Sequence, residues 1–171
     1  MDVPNHEERF VDPSVCKEHL SKLISEETQA LTRLEGLLDK EHEYLQANDV
    51  EALDRAGDER QACISDLVRV DEDRRMLCRM LNMPTDKTGL ERMLNWCDPS
   101  ATLQPRIADC AERAGRCRNL NDRNGALVTA RLKRVEGMLD VVTGRSSQPK
   151  TYGRQGGYEA TARAATVLAK V

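Results

Sequence analysis

The sequence predicts an all-α fold: an antiparallel bundle of three long helices, with a short helix before the third and a flexible C-terminal tail. Three observations carry that expectation. Aromatics make up 3 % of the 171 residues and charged residues 32 %, a composition of long helices rather than of sheets. Apolar residues recur in steps of three and four over three long stretches, the spacing of one helical face. Turn and stop signals separate those stretches within a chain of single-domain length, large enough to bury a core.

Residues 1–13 read as a loose start, since Pro4 and Pro13 discourage helix. Ser14 is the expected N-cap of a first helix reaching about Gln46, with Leu20, Ile24, Leu31, Leu34, Leu38 and Leu45 as its stripe. Glu27 and Glu41 interrupt that stripe and are expected at its edge, with their carboxylates in water. Asn48 and Glu51 form a capping box across a short connection, so the second helix should return antiparallel beside the first. It uses Leu53, Ile64, Leu67, Leu77, Cys78 and Leu81, and Pro84 stops it near Met83.

Met76, Met80 and Met83 make a row beside that seam. The row is either an adaptable partner surface or is covered by the next short helix. That short helix starts at a second capping box, Thr88-Gly89-Leu90-Glu91, and ends at Asp98-Pro99.

Residues 101–143 form the longest expected helix, around which the others should pack. Leu103, Ile107, Cys110, Ala114 and Cys117 fall on one seam, followed after a polar interruption by Val128, Val135, Met138 and Val142. No proline lies between Pro105 and Gly144, so a single helix of roughly 60 Å is expected at about 1.5 Å per residue. The interruption places Asn121 and Asn124 in seam positions, where buried amides fix register. Gly125 follows and should let a neighbouring helix come close.

Residues 145–157 hold a proline, two serines and three glycines and read as a linker. The segment 159–171 carries Ala160, Ala164, Val167, Leu168 and Val171 on one side of a potential last helix. It is too short to be stable alone in water and should form on contact with something. The expected organisation is therefore a loose start (1–13), a helical bundle (14–144) and a flexible basic tail (145–171).

Net charge is −3, which gives no reason to expect nucleic acid as a partner. Residues 145–171 hold five bases against Glu159, a net +4, which leaves −7 for the first 144 residues. No run approaches the ~18 apolar residues of a membrane span, and residues 1–12 lack the apolar run of a secretory signal. A cytoplasmic location is expected. Cys16, Cys63, Cys78, Cys97, Cys110 and Cys117 show no Cys-x-x-Cys pair and read as small apolar side chains kept reduced.

No catalytic cluster is found. Cys16-x-x-His19 and Asp39-x-x-His42 each place two ligand types on one helical face, but a di-metal bundle takes two Glu-x-x-His motifs and two further carboxylates. The run Gly153–Gly157 lacks the lysine–hydroxyl pair and the preceding strand of a phosphate loop. Neither an enzyme activity nor a metal or cofactor is expected.

Two stretches together point beyond a generic bundle: Asn121-Asp122-Arg123-Asn124-Gly125-Ala126-Leu127-Val128, and Thr143-Gly144 followed by Thr151-Tyr152-Gly153-Arg154-Gln155-Gly156. An Asn-x-x-Asn-Gly helix, an apolar helix end and a Tyr-Gly-x-x-Gly tail resemble the FlgN family of flagellar export chaperones. The resemblance runs over about residues 15–157 and leaves 158–171 unassigned. It implies a cytoplasmic helical protein that binds C-terminal segments of hook-associated junction proteins before export.

The candidate cargo face is Leu132, Val135, Met138, Leu139 and Val142, on the principle that an amphipathic helix shields an apolar helical client. The resemblance also implies that Tyr152, with Gly153, docks to the cytoplasmic domain of the export gate; a tail folded back on the bundle is the alternative. From a different class, the long seams also suit a structural coiled-coil scaffold that binds itself.

Overall fold

A computed structural model of the chain describes residues 12–144. Among them are four helices and no strand: α1 (Pro13–Ala47), α2 (Val50–Met80), α3 (Lys87–Cys97) and α4 (Gln104–Val142). The expected all-helical class and element order hold there. The loose start up to residue 11 and the whole tail from 145 lie outside the described residues.

The helix that organises the bundle is α1, not the last one. α1 packs against each of the other three helices. Its buried positions explain why: Cys16, Leu20, Leu23, Glu27, Ala30, Leu34, Leu37 and Glu41 step by four and three, and Ile24, Leu31, Leu38 and Leu45 add a second row at every seventh residue. Three buried residues per heptad make a face broad enough for two long neighbours.

The two glutamates are corrected from the edge to the seam. Glu27 and Glu41 are 7 % and 4 % exposed and are met by arginines of α2, Arg74 at 3.6 Å and Arg60 at 3.3 Å. Burial pushes both carboxyls above the usual range, and the arginines pull them part of the way back.

Every expected N-cap shifts to an aspartate. Asp12 accepts from the Ser14 amide at 2.9 Å, Asp49 from Ala52 at 3.0 Å and Asp86 from Gly89 at 3.1 Å. Asn48 instead ends α1 in the left-handed conformation, with φ 57°. α2 ends at Met80, before the expected stop, and Asn82 turns the chain with φ 52°. Gly89 is buried against the Pro84 carbonyl so closely that a Cβ would sit 1.5 Å from its oxygen.

Consecutive long helices run antiparallel, so α4 returns parallel to α1. Asp98, after α3, fixes where it starts. Its carboxylate accepts from the Leu103 amide at 2.7 Å and the Thr102 hydroxyl at 2.7 Å, and pairs with Lys17 of α1 at 2.9 Å.

From there α4 follows α1 in register. Cys110 donates to the Ile24 carbonyl (3.8 Å), Cys117 to Leu31 (3.6 Å) and the Asn124 amide to Leu38 (2.7 Å), each pair 86 residues apart. Donors seven apart on one helix thus meet carbonyls seven apart on the other. Small side chains at Cys110, Ala114 and Cys117, all buried, let the backbones come close enough for this. Arginines flank the seam: Arg106 on Ser21 and Ser25, Arg116 on Glu35, Arg123 on Asp39. All six cysteines are free and buried, and burial pushes Cys16 to about 12 and Cys117 to about 11.

Candidate functional site

The register ends before the helix does. Arg131 reaches the Asn48 side chain and the Gln46 carbonyl, at the C-terminal end of α1. α1 stops at Ala47, whereas α4 continues to Val142. The eleven residues from Leu132 to Val142 therefore overrun the bundle by about 16 Å, at about 1.5 Å per residue, and all of them are exposed.

Their sequence is not that of a solvated helix end. Leu132 is 54 % exposed, Val135 53 %, Met138 59 %, Leu139 56 % and Val142 83 %. Leu132, Val135, Leu139 and Val142 follow the 3-4-3 spacing of one face, which Val128 extends toward the bundle and Met138 widens. All five residues expected to bind cargo lie here, and none helps to close the bundle. Chemically, the face offers branched aliphatic and thioether side chains with no reactive group among them.

The polar motif divides the two parts of α4. Asn124 is buried, whereas Asn121 is exposed and not in the seam. Asn124 Oδ1 accepts from His42 Nδ1 at 3.0 Å while its amide serves the Leu38 carbonyl, and His42 Nε2 faces Gln46 at 3.1 Å. The Asn124 amide also helps hold the buried Glu41 carboxylate. This cluster completes the hydrogen bonding of an amide in a site otherwise given to small apolar residues. Gly125 has open space around it rather than a close neighbour, so its expected packing role is withdrawn.

The methionine row splits as well. Met83 packs against the core, but Met76 and Met80 stay about half exposed and are not covered by α3. Tyr152 and Gly153 lie outside the described residues. Among those residues, no helix is long and apolar enough to cross a membrane. Sequence reasoning missed Asp98 and the buried Glu41–Arg60 pair. Their signals were a carboxylate five residues before a cap-less helix start and a four-three spacing that runs through the glutamates.

The family model described as FlgN protein matches residues 17–160. The chain belongs to the FlgN family. Membership implies a chaperone role in flagellar export. The FlgN match takes in most of α1 and all of α4, including the overrunning end. No curated protein and no solved structure matches the chain.

Proposed function

We propose that this FlgN-family chain holds the C-terminal segments of hook-associated junction proteins in the cytoplasm, prevents their premature assembly and delivers them to the export gate. The observation that carries the reading is the exposed stripe at the end of α4. A stripe of Leu, Val and Met projecting past its own bundle suits an amphipathic helical client laid along it. The bundle supplies a rigid base and the overrun supplies the surface. Tyr152 and Gly153 serve as the contact to the cytoplasmic domain of the gate, since an aromatic in a Gly-rich stretch makes a compact anchor. No catalytic step, metal or cofactor enters this reading.

The test is calorimetric titration of the full chain with junction-protein C-terminal segments. Saturable one-to-one binding with a negative heat-capacity change is expected. Replacing Leu132 and Leu139 together by alanine should weaken it about tenfold or more, with helicity unchanged. Tyr152→Ala should leave this affinity intact and reduce binding to the gate domain. If no segment binds the folded chain, the cargo reading fails. Concentration-dependent association in light scattering would then favour a self-binding scaffold through the same stripe.

A further inference from the structure

We propose that the overrunning ends of two copies of this chain pack antiparallel about a two-fold axis, so that the cargo-free chain rests as a weak, closed dimer. This pairing goes beyond the cargo reading and does not depend on it. The direction of the stripe decides which pairings are open. Val128, Val135 and Val142 continue, at every seventh residue, the row through buried Ala114, and Arg131 reaches the Gln46 carbonyl near the end of α1. The stripe therefore faces the space directly beyond α1. A partner helix laid there parallel to α4 would drive its own bundle into α1. An antiparallel partner carries its bundle away, and the two chains meet end to end with their overruns side by side.

The spacing of the stripe suits that arrangement. The steps from Leu132 to Val135, Leu139 and Val142 are three, four and three, which read the same from either end. Turned about a two-fold, Leu132 meets the partner's Val142, and Val135 meets the partner's Leu139, as in the layers of an antiparallel coiled coil. Every layer then joins a leucine to a valine. The partner's tip comes to the α1–α2 turn, where Val50 opens α2 and is 75 % exposed.

Charge fixes the same register. Lys133, Glu136 and Asp140, all exposed, lie along one flank of the stripe, whereas Arg131 and Arg134 lie along the other. Antiparallel packing brings the same flank of both copies together and sets each Lys133 against the partner's Asp140. Within one helix these two residues are seven apart, about 10 Å along the axis, too far to pair. The two Glu136 carboxylates come together near the two-fold, and their repulsion works against the dimer.

The contact is small. Over about 16 Å of helix it buries on the order of 500 Å² a copy, short of the roughly 800 Å² of a standard interface. A dissociation constant on the order of 10 µM is expected for it. Because both copies use one self-complementary patch, association stops at two, unlike the open growth of a scaffold. Under the cargo reading, a junction segment and the second copy compete for one face.

The experiment is sedimentation velocity on the full chain from about 1 to 200 µM. The unaltered chain should pass from monomer to dimer near 10 µM and go no further. Lys133→Glu and Asp140→Lys, each alone, set like charges together twice and should weaken association about tenfold. An equimolar mixture of the two variants restores both opposite pairs and should associate as tightly as the unaltered chain, within about twofold. Glu136→Gln should tighten the dimer about threefold. All three positions are exposed and outside the bundle, so folding is not at stake. A chain that stays monomeric to 200 µM overturns the proposal, as does growth past two copies or a mixture no stronger than its components. If the mixture associates but no junction segment binds, the dimer stands and the cargo reading falls. If a segment binds a chain that stays monomeric, the cargo reading stands and the dimer falls.

Discussion

The two parts of α4 carry the same helical spacing and opposite chemistry. Up to Arg131, seam positions are held against the bundle: Leu103, Cys110, Ala114, Cys117 and Asn124 are buried and Ile107 packs against the core. Beyond it they are filled by Leu132, Val135, Leu139 and Val142, all exposed. At the positions that face the α1 backbone the helix uses small or short polar side chains, so that donors reach carbonyls at fixed register, while Leu103, Ile107 and Leu120 pack in or against the core. Beyond the end of α1, where no other helix among the described residues lies beside it, the stripe is all Leu and Val and stays exposed. Burial along one stripe thus separates the part of α4 that closes the bundle from the part that runs past it.

The sharpest way to break that distinction is the same deletion in the bundle and in the overrun. Leu31 of α1 is 1 % exposed in the core, so Leu31→Ala should cost about 3 kcal/mol through transfer loss and a residual cavity. Leu139→Ala removes the same atoms from an exposed position and should change stability by less than about 0.5 kcal/mol. Urea unfolding followed by circular dichroism measures both. A comparable loss at Leu139 would return the end of α4 to the core.

A smaller effect comes from the anchor at the start of α4. The Lys17 ammonium and the Leu103 and Thr102 hydrogen bonds hold the Asp98 carboxyl well below the usual carboxylate range, against the opposing effect of its burial. A value lower in the folded than in the unfolded chain contributes stability above the ordinary value of about 3.9, and this is lost as pH falls through the folded value. Asp98→Asn should therefore lower the midpoint of thermal unfolding at pH 7, and the difference from the unaltered chain should shrink steadily in the acid range below about pH 4. Exchange across 132–142 should not follow that change, because the overrun does not depend on where α4 begins. Glu27 and Glu41 act with the opposite sign: their values are raised, so their contribution is present below the ordinary glutamate value and is lost as pH rises through the folded one.

The helices and the apolar end of α4 were legible because both are periodic and periodicity is local. What was not legible depends on partners far along the chain. Glu27 and Glu41 read as outward because a carboxylate in a seam is expensive; only Arg74 and Arg60, 47 and 19 residues away, make the positions acceptable. The caps were missed by one or two residues because Ser14, Asn48 and Thr88 are themselves good cap types, and the neighbouring aspartates took the role. The central place of α1 was hidden for the same reason as its glutamates. With Glu27 and Glu41 taken as edge residues, α1 shows one face; with them in the seam it shows room for two neighbours. The exposed stripe, in contrast, was visible as apolar spacing, but only the end of α1 at Ala47 leaves it without a helix beside it among the described residues.

The smallest expected effect is also the cleanest comparison, since it makes one substitution twice in one helix. Gly125 and Gly137 both lie in α4, both are exposed, and at neither would a Cβ meet anything within 4 Å. Alanine at either position should therefore gain only helix propensity, about 1 kcal/mol. Gly125 lies within the part held to α1, where local helix formation and global folding are one transition. Gly125→Ala should raise global stability by about that amount. Gly137 lies beyond Arg131, where the helix can fray without unfolding the bundle. Gly137→Ala should leave the urea midpoint unchanged while it slows amide exchange across 132–142 about fivefold, the kinetic counterpart of about 1 kcal/mol. Equal gains in urea would mean that the overrunning end unfolds with the bundle, and that its exposed stripe is not independent of the core.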